Sequence, residues 1–213
     1  EFIKDFPDAE LFLGDFSMSL FKQCSQLIIS PGIDPRHPAI QQAKDSGIEV
    51  IGDVALFARE TTKPVIAITG SNGKSTVTAM VASILNAAGI KAVEAGNIGQ
   101  PVLDILDTEY EVAVLELSSF QLETIRSLSP KVAVNLNVCA DHLDRYFNYE
   151  EYVAVKKRIY QHTDVAVIHC QHQAAWQGVS LPATVIAVDR NHSAPEASDY
   201  QRLTEADLRL SIE

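Results

Sequence analysis

Cysteine is scarce: Cys24, Cys139 and Cys170 are the only three among 213 residues, and they stand far apart. An odd, scattered set supplies neither a disulfide framework nor a zinc-ligand spacing, and it points to a reducing cytoplasm. Positive charge is short too, with 17 Lys and Arg against 28 Asp and Glu and a net charge of −11. That balance argues against nucleic acid or an acidic membrane as partner, so a phosphate ligand has to be held by local geometry. No apolar run approaches the ~20 residues that span a bilayer. Internal repeats and low-complexity segments are missing as well. The chain opens at Glu1, without a methionine and in mid-pattern, so the expectation is a fragment.

What is present is a hydrophobic fraction of 46%, enough for a real core in one large or two small domains. The organising stretch is Val65 to Thr76, VIAITGSNGKST. Val65-Ile66-Ala67-Ile68-Thr69 reads as a buried parallel strand. Gly70-Ser71-Asn72-Gly73 is a glycine-rich turn, followed by Lys74-Ser75-Thr76. The helix after it carries Val77, Met80, Val81, Ile84 and Leu85 at helical spacing and is stopped by Gly89. Strand, glycine loop, Lys-Ser and helix make a phosphate cradle. Backbone N–H groups converge on an anion at a helix N-terminus, the lysine meets the outer phosphates, and a hydroxyl reaches magnesium. The common G-x-x-x-x-G-K-[ST] form needs glycine at position 68, where Ile68 stands. The loop here is the shorter G-x-x-G-K-S-T. The plain alternative is a tight turn whose lysine lies in solvent.

Along the chain, Leu27–Ile29 reads as a strand, His37–Ser46 as a helix stopped by Gly47, Ile48–Ile51 as a strand and Val54–Arg59 as a helix. Thr61-Thr62-Lys63-Pro64 is polar and ends in proline, which sets the expected domain boundary: residues 1–63, then 64–213. Beyond it come strand 112–115, helix 119–128, strand 132–138, helix 149–162, strands 165–168 and 184–188, and loop-like residues 189–199. Strand–helix alternation predicts an α/β fold with a parallel sheet and helices on both faces.

Ligands of such sheets sit beyond the carboxyl ends of the strands. There stand Glu116 after strand 112–115, His142 after strand 132–138, and Asn97 in Gly96-Asn97-Ile98-Gly99. A carboxylate and an imidazole beside a triphosphate suit magnesium or the transferring phosphoryl group. Each also has a plain reading: Glu116 as a strand-end charge, Asn97 as a turn residue, and His142 between Asp141 and Asp144 as an exposed turn residue. Ser118 and Gln121 form the pattern of a capping box. The other histidines form no constellation.

Helix 149–162 holds an anomaly. Tyr149, Tyr152, Val153, Ile159 and Tyr160 form one stripe, and at about 100° per residue its centre falls on Lys156, with Lys157 on the flank. A lysine there is costly unless something uses it. Burial would favour the neutral amine, which reacts with carbon dioxide to give a metal-holding carbamate. Equally, Lys156 snorkels to the surface. Both readings stand.

TGSNGKST, GNIG, LELSSFQLE, NLNVCADHLDRY and YVAVKKRIY together resemble the Mur ligases of peptidoglycan synthesis, most closely the branch that adds D-glutamate. ELSSFQLE and DHLDRY are the specific strings; other branches and the folylpolyglutamate synthases share the loop but differ there. The resemblance covers nearly the whole chain and is densest from Pro64 to Ile168. It implies a Rossmann-like UDP-binding domain, a P-loop-type central ATPase domain, both incomplete here, and an absent amino-acid-binding domain. It implies that Gly70, Ser71, Asn72, Gly73, Lys74, Ser75 and Thr76 hold ATP, and that Ser75 and Glu116 hold one Mg2+. His142 and carbamylated Lys156 would serve a second metal. Lys74, His142 and Lys156 become the catalytic set. Asn97, Ser118 and Ser119 would lie near the muramoyl substrate and Ser30, Pro31 and Gly32 near its UDP. The implied reaction joins D-glutamate to UDP-N-acetylmuramoyl-L-alanine through an acyl phosphate, with the fragment alone inactive. The expected partners are these two substrates only, with the protein a cytoplasmic monomer. The rival readings are a P-loop phosphotransferase or NTPase, and a nucleotide-binding module without ligase chemistry.

Overall fold

The computed structural model describes residues 2–141 and 144–188. In chain order the elements are α1 (Phe2–Asp5), α2 (Met18–Phe21), β1 (Gln26–Ile29), α3 (Pro38–Asp45), β2 (Glu49–Gly52), α4 (Asp53–Glu60), β3 (Val65–Thr69), α5 (Lys74–Ala87), β4 (Ala92–Gly96), β5 (Val112–Glu116), α6 (Ser119–Thr124), β6 (Val132–Asn135), α7 (Tyr149–Lys157), β7 (Val165–His169) and β8 (Thr184–Val188). The expected loop 189–199 lies outside the described residues.

The chain divides into two compact units, Glu1–Ile51 and Gly52–Glu213. This division falls ahead of the expected 63/64 boundary. The reason is α4: Val54 and Phe57 are buried in the core of the larger unit, so the helix belongs there and the polar stretch after it is an internal connection.

In the smaller unit β1 and β2 form a two-stranded sheet. Phe21, Ala39 and Ala43 make its core, with Leu27 and Ile48 packed against them. His37 caps α3 by accepting the Ala39 N–H, and Ile48 N–H closes the far end on Ala43 O.

The larger unit is a six-stranded sheet in the order β4-β5-β3-β6-β7-β8, parallel throughout. Strand residues alternate between two cores. Val65, Ala67, Ala113 and Leu115 face one way, against α4, α6 and α7. Ile66, Ile68, Val112 and Val114 face the other, against Val77, Val81, Ala82 and Leu85 of α5. A central strand buried on both sides has to be apolar along most of its length, as VIAI of β3 and VAVL of β5 are before each ends in a polar residue.

Three expected elements are corrected. Helix 119–128 ends at Thr124; Ile125 turns extended, and with Leu128 it still reaches the core, so the apolar spacing served a non-helical path. Helix 149–162 becomes a 3-10 turn from Arg158 to Tyr160. Strand 132–138 ends at Asn135, where its neighbour β3 is about to enter the glycine loop. Strand β4 has no counterpart in the sequence reading, because AVEAG is poor in β-formers.

Candidate functional site

The glycine loop links β3 to α5. Gly73 holds φ +82, a left-handed conformation suited to glycine, and is the N-cap of the helix. The first helical hydrogen bond runs from Val77 N–H to Gly73 O, so the N–H groups of Lys74, Ser75 and Thr76 precede it. Those amides and the dipole of a 14-residue helix form an anion cradle. Lys74 Nζ reaches back to Ser71 O at 3.2 Å.

On the neighbouring strand, β5 ends in Glu116, 1% exposed. Its Oε1 accepts from Asn97 Nδ2 at 2.9 Å, and its backbone oxygen accepts Asn97 N–H at 2.9 Å. Asn97 therefore orients Glu116, which goes beyond the turn role open to it from sequence. The approach depends on Gly96, at φ +109: a Cβ there would lie 2.3 Å from Glu116 O. Glu116 Oε2 is buried with no hydrogen-bond partner. An ionised oxygen so placed is costly without a cation, and its donor chemistry fits Mg2+.

Helix α7 brings Lys156 inward. The residue is 2% exposed, so it does not snorkel. Nζ donates to Gly70 O at 2.9 Å and stands 3.4 Å from Thr69 Oγ1. The ring of Tyr152 lies 5.1 Å from it. Burial lowers its pKa to about 7, and the charge of Lys74 acts the same way, while Asp141 and Glu116 pull it up. A neutral fraction is then present at neutral pH. Lys157 instead donates to Gln177 O at 2.6 Å.

Lys74, Asn97, Ser118, Ser119, Phe120, Asp141, Tyr152 and Lys156 line one cavity of about 210 Å3. Five of the residues singled out from sequence thus share a single space at the carboxyl end of the sheet. Ser118 also caps α6: Gln121 N–H donates to its Oγ at 3.2 Å, while its own N–H donates to Gln121 Oε1 at 3.0 Å. Ser75 and Thr76 are exposed on the first turn of α5. Ser30, Pro31 and Gly32 form the turn after β1 in the smaller unit, closed by Ile33 N–H to Ser30 O. His142 lies outside the described residues. Asp141 and Tyr152 were not singled out; an acid in a loop and a tyrosine in an apolar stripe carry no signal until tertiary packing places them.

The family model for the Mur ligase middle domain matches residues 68–208, and that for the Mur ligase MurD-like N-terminal domain matches residues 3–52. The chain belongs to the Mur ligase family. Within it, the UDP-N-acetylmuramoylalanine--D-glutamate ligase of Pasteurella multocida (strain Pm70) is 50% identical over 161 residues, 76% of this chain and 37% of that protein. The enzyme of the same name from Alcanivorax borkumensis is 45% identical over 197 residues, 92% of this chain and 44% of that protein. The chain therefore spans less than half the length of these relatives. A solved UDP-N-acetylmuramoyl-L-alanyl-D-glutamate--2,6-diaminopimelate ligase shares the fold, with a TM-score of 0.54 at 20% identity over 79% of this chain and 46% of the other.

Proposed function

We propose that this chain carries the nucleotide-handling part of an ATP-dependent ligase that joins D-glutamate to UDP-N-acetylmuramoyl-L-alanine in peptidoglycan synthesis. The observation that carries the reading is the convergence of Lys74, Asn97 and buried Lys156 on one cavity, with Glu116 hydrogen-bonded to Asn97 behind it. The names of the relatives supply the substrates. The substrate carboxylate attacks the γ-phosphorus of ATP, the bond to the ADP oxygen breaks, and an acyl phosphate forms. The amine of D-glutamate then adds to the acyl carbon, loses a proton and expels phosphate.

In this reading the amides of Lys74–Thr76 and the Lys74 ammonium offset the charge gathering on the transferring phosphoryl group. Asn97 fixes Glu116 so that Oε2 is presented to a cation, with the Ser75 hydroxyl as a second oxygen ligand. Mg2+ bound there would neutralise phosphate charge. Ser118 and Ser119 border the same space for the acceptor substrate, and Ser30–Gly32 serve its UDP. By the family resemblance, His142 would serve a second metal. A reducing cytoplasm suits the chain: Cys24, Cys139 and Cys170 are free thiols. No helix among the described residues is long and apolar enough to cross a membrane.

Lys156 works as a carbamate: its neutral amine adds to carbon dioxide and releases a proton. The product nitrogen keeps one hydrogen, enough to preserve the bond to Gly70 O. The test uses the full-length protein. Lys156→Ala should lose most activity, and formate or acetate should restore part of it by supplying the missing carboxylate. Lys157→Ala should do little harm. Full rate in Lys156→Ala, or a critical Lys157, contradicts the assignment; loss without rescue removes the carbamate.

A further inference from the structure

The phosphate loop is gripped from outside by a side chain that the chemistry above does not use. Asn137 follows the end of β6 by two residues. Its Oδ1 accepts the N–H groups of Ser71 at 3.1 Å and Asn72 at 2.9 Å, and its Nδ2 donates to Asn72 O at 3.0 Å. The same segment adds Ser71 N–H to Asn137 O at 3.0 Å and Cys139 N–H to Ser71 Oγ at 2.9 Å. We propose that Asn137 is a positioning residue that holds this shortened loop in the shape that receives the nucleotide's phosphates.

Two physical points support it. First, the loop has few peptide groups of its own with which to brace its turn. The carboxamide of Asn137 acts as an extra peptide unit, one acceptor and one donor facing Asn72 from the side. By occupying the Ser71 and Asn72 amides it leaves those of Lys74, Ser75 and Thr76 to meet an anion. Second, carbonyl oxygens turned toward a polyphosphate would repel it. Here three consecutive loop carbonyls each accept from a side chain: Gly70 from Lys156, Ser71 from Lys74 and Asn72 from Asn137. Both lysines have other work in the proposed reaction. Asn137 is neutral, and its donor is directed to Asn72 O.

The inference rests on the nucleotide reading of the loop, and the experiment separates the two. Equilibrium ATP binding and steady-state kinetics are measured on the full-length protein and on Asn137→Ala, Asn137→Asp and Asn86→Ala. Asn86 is the control: it also makes three side-chain hydrogen bonds, near the opposite end of α5. Asn137→Ala should raise the Kd and KM for ATP about tenfold, the scale of one or two hydrogen bonds. The kcat and the KM for the muramoyl substrate should change by less than about twofold. Asn137→Asp keeps the acceptor, loses the donor to Asn72 O and adds charge near the phosphates, so it should raise the ATP KM at least as far. Asn86→Ala should lower the melting temperature and leave the ATP KM alone. An unchanged ATP KM in both Asn137 variants overturns the inference, as does an equal rise in Asn86→Ala. If Asn137→Ala fails to fold, Asn137→Asp carries the test. Absence of ATP binding by the unsubstituted protein overturns the nucleotide reading itself.

Discussion

Lys156 concentrates what one residue contributes here. It is an amine in a core, 2% exposed, and burial has brought its pKa from 10.5 to about 7. Below about pH 7 the folded protein keeps a buried charge that the unfolded chain holds in water, and the penalty is full. Between about 7 and 10.5 the unfolded chain binds the proton and the folded protein does not, so stability rises with pH. Lys156→Met should remove that part of the rise. Urea midpoints from pH 6.5 to 9.5, followed by the fluorescence of Trp176, the single tryptophan, measure it. An identical pH slope with and without Lys156 would show that the amine is not buried. The sequence exposed this residue because helical periodicity alone put a charge at the centre of an apolar stripe. The bonds of Asn137 and Tyr152 were not legible because their partners lie 65 and 81 residues away in Asn72 and Ser71. No local pattern encodes such bonds.

At the scale of elements, legibility followed periodicity and capping chemistry. The strand–loop–helix of β3 and α5, and the Ser118–Gln121 box of α6, appear where the residues placed them, since each depends on neighbours within a few positions. The extents of α6 and β6 were not legible, because apolar residues at 125 and 128 pack equally well from extended chain and β6 stops with its neighbour. Strand β4 was invisible by composition, yet it carries the turn that aims Asn97 at Glu116. Gly96→Ala should therefore be severe. The left-handed backbone alone costs about 1–3 kcal/mol. The added methyl also meets the Glu116 carbonyl oxygen at 2.3 Å, so β4 must shift and Asn97 with it. Thermal unfolding together with nucleotide binding checks this; a variant with unchanged stability would contradict the close approach.

Across the whole molecule, the larger unit gathers at one end of its parallel sheet the groups on which the proposed phosphoryl transfer rests. They are an anion cradle with its lysine, a buried carboxylate with one oxygen lacking a hydrogen-bond partner, and a buried amine of lowered pKa. Helix α4 joins that unit rather than marking its edge, because a polar, proline-ended stretch resembles a linker even when it is only a loop inside one core. The central claim is that ATP cleavage at this site serves amide formation. It is tested most directly by phosphate release from the full-length protein with ATP, omitting UDP-N-acetylmuramoyl-L-alanine and D-glutamate in turn. The account predicts phosphate release in step with amide product when all are present, sharply reduced release when either is omitted, and none in Lys74→Ala. Steady release that needs neither substrate would contradict it and leave a plain nucleotide phosphatase.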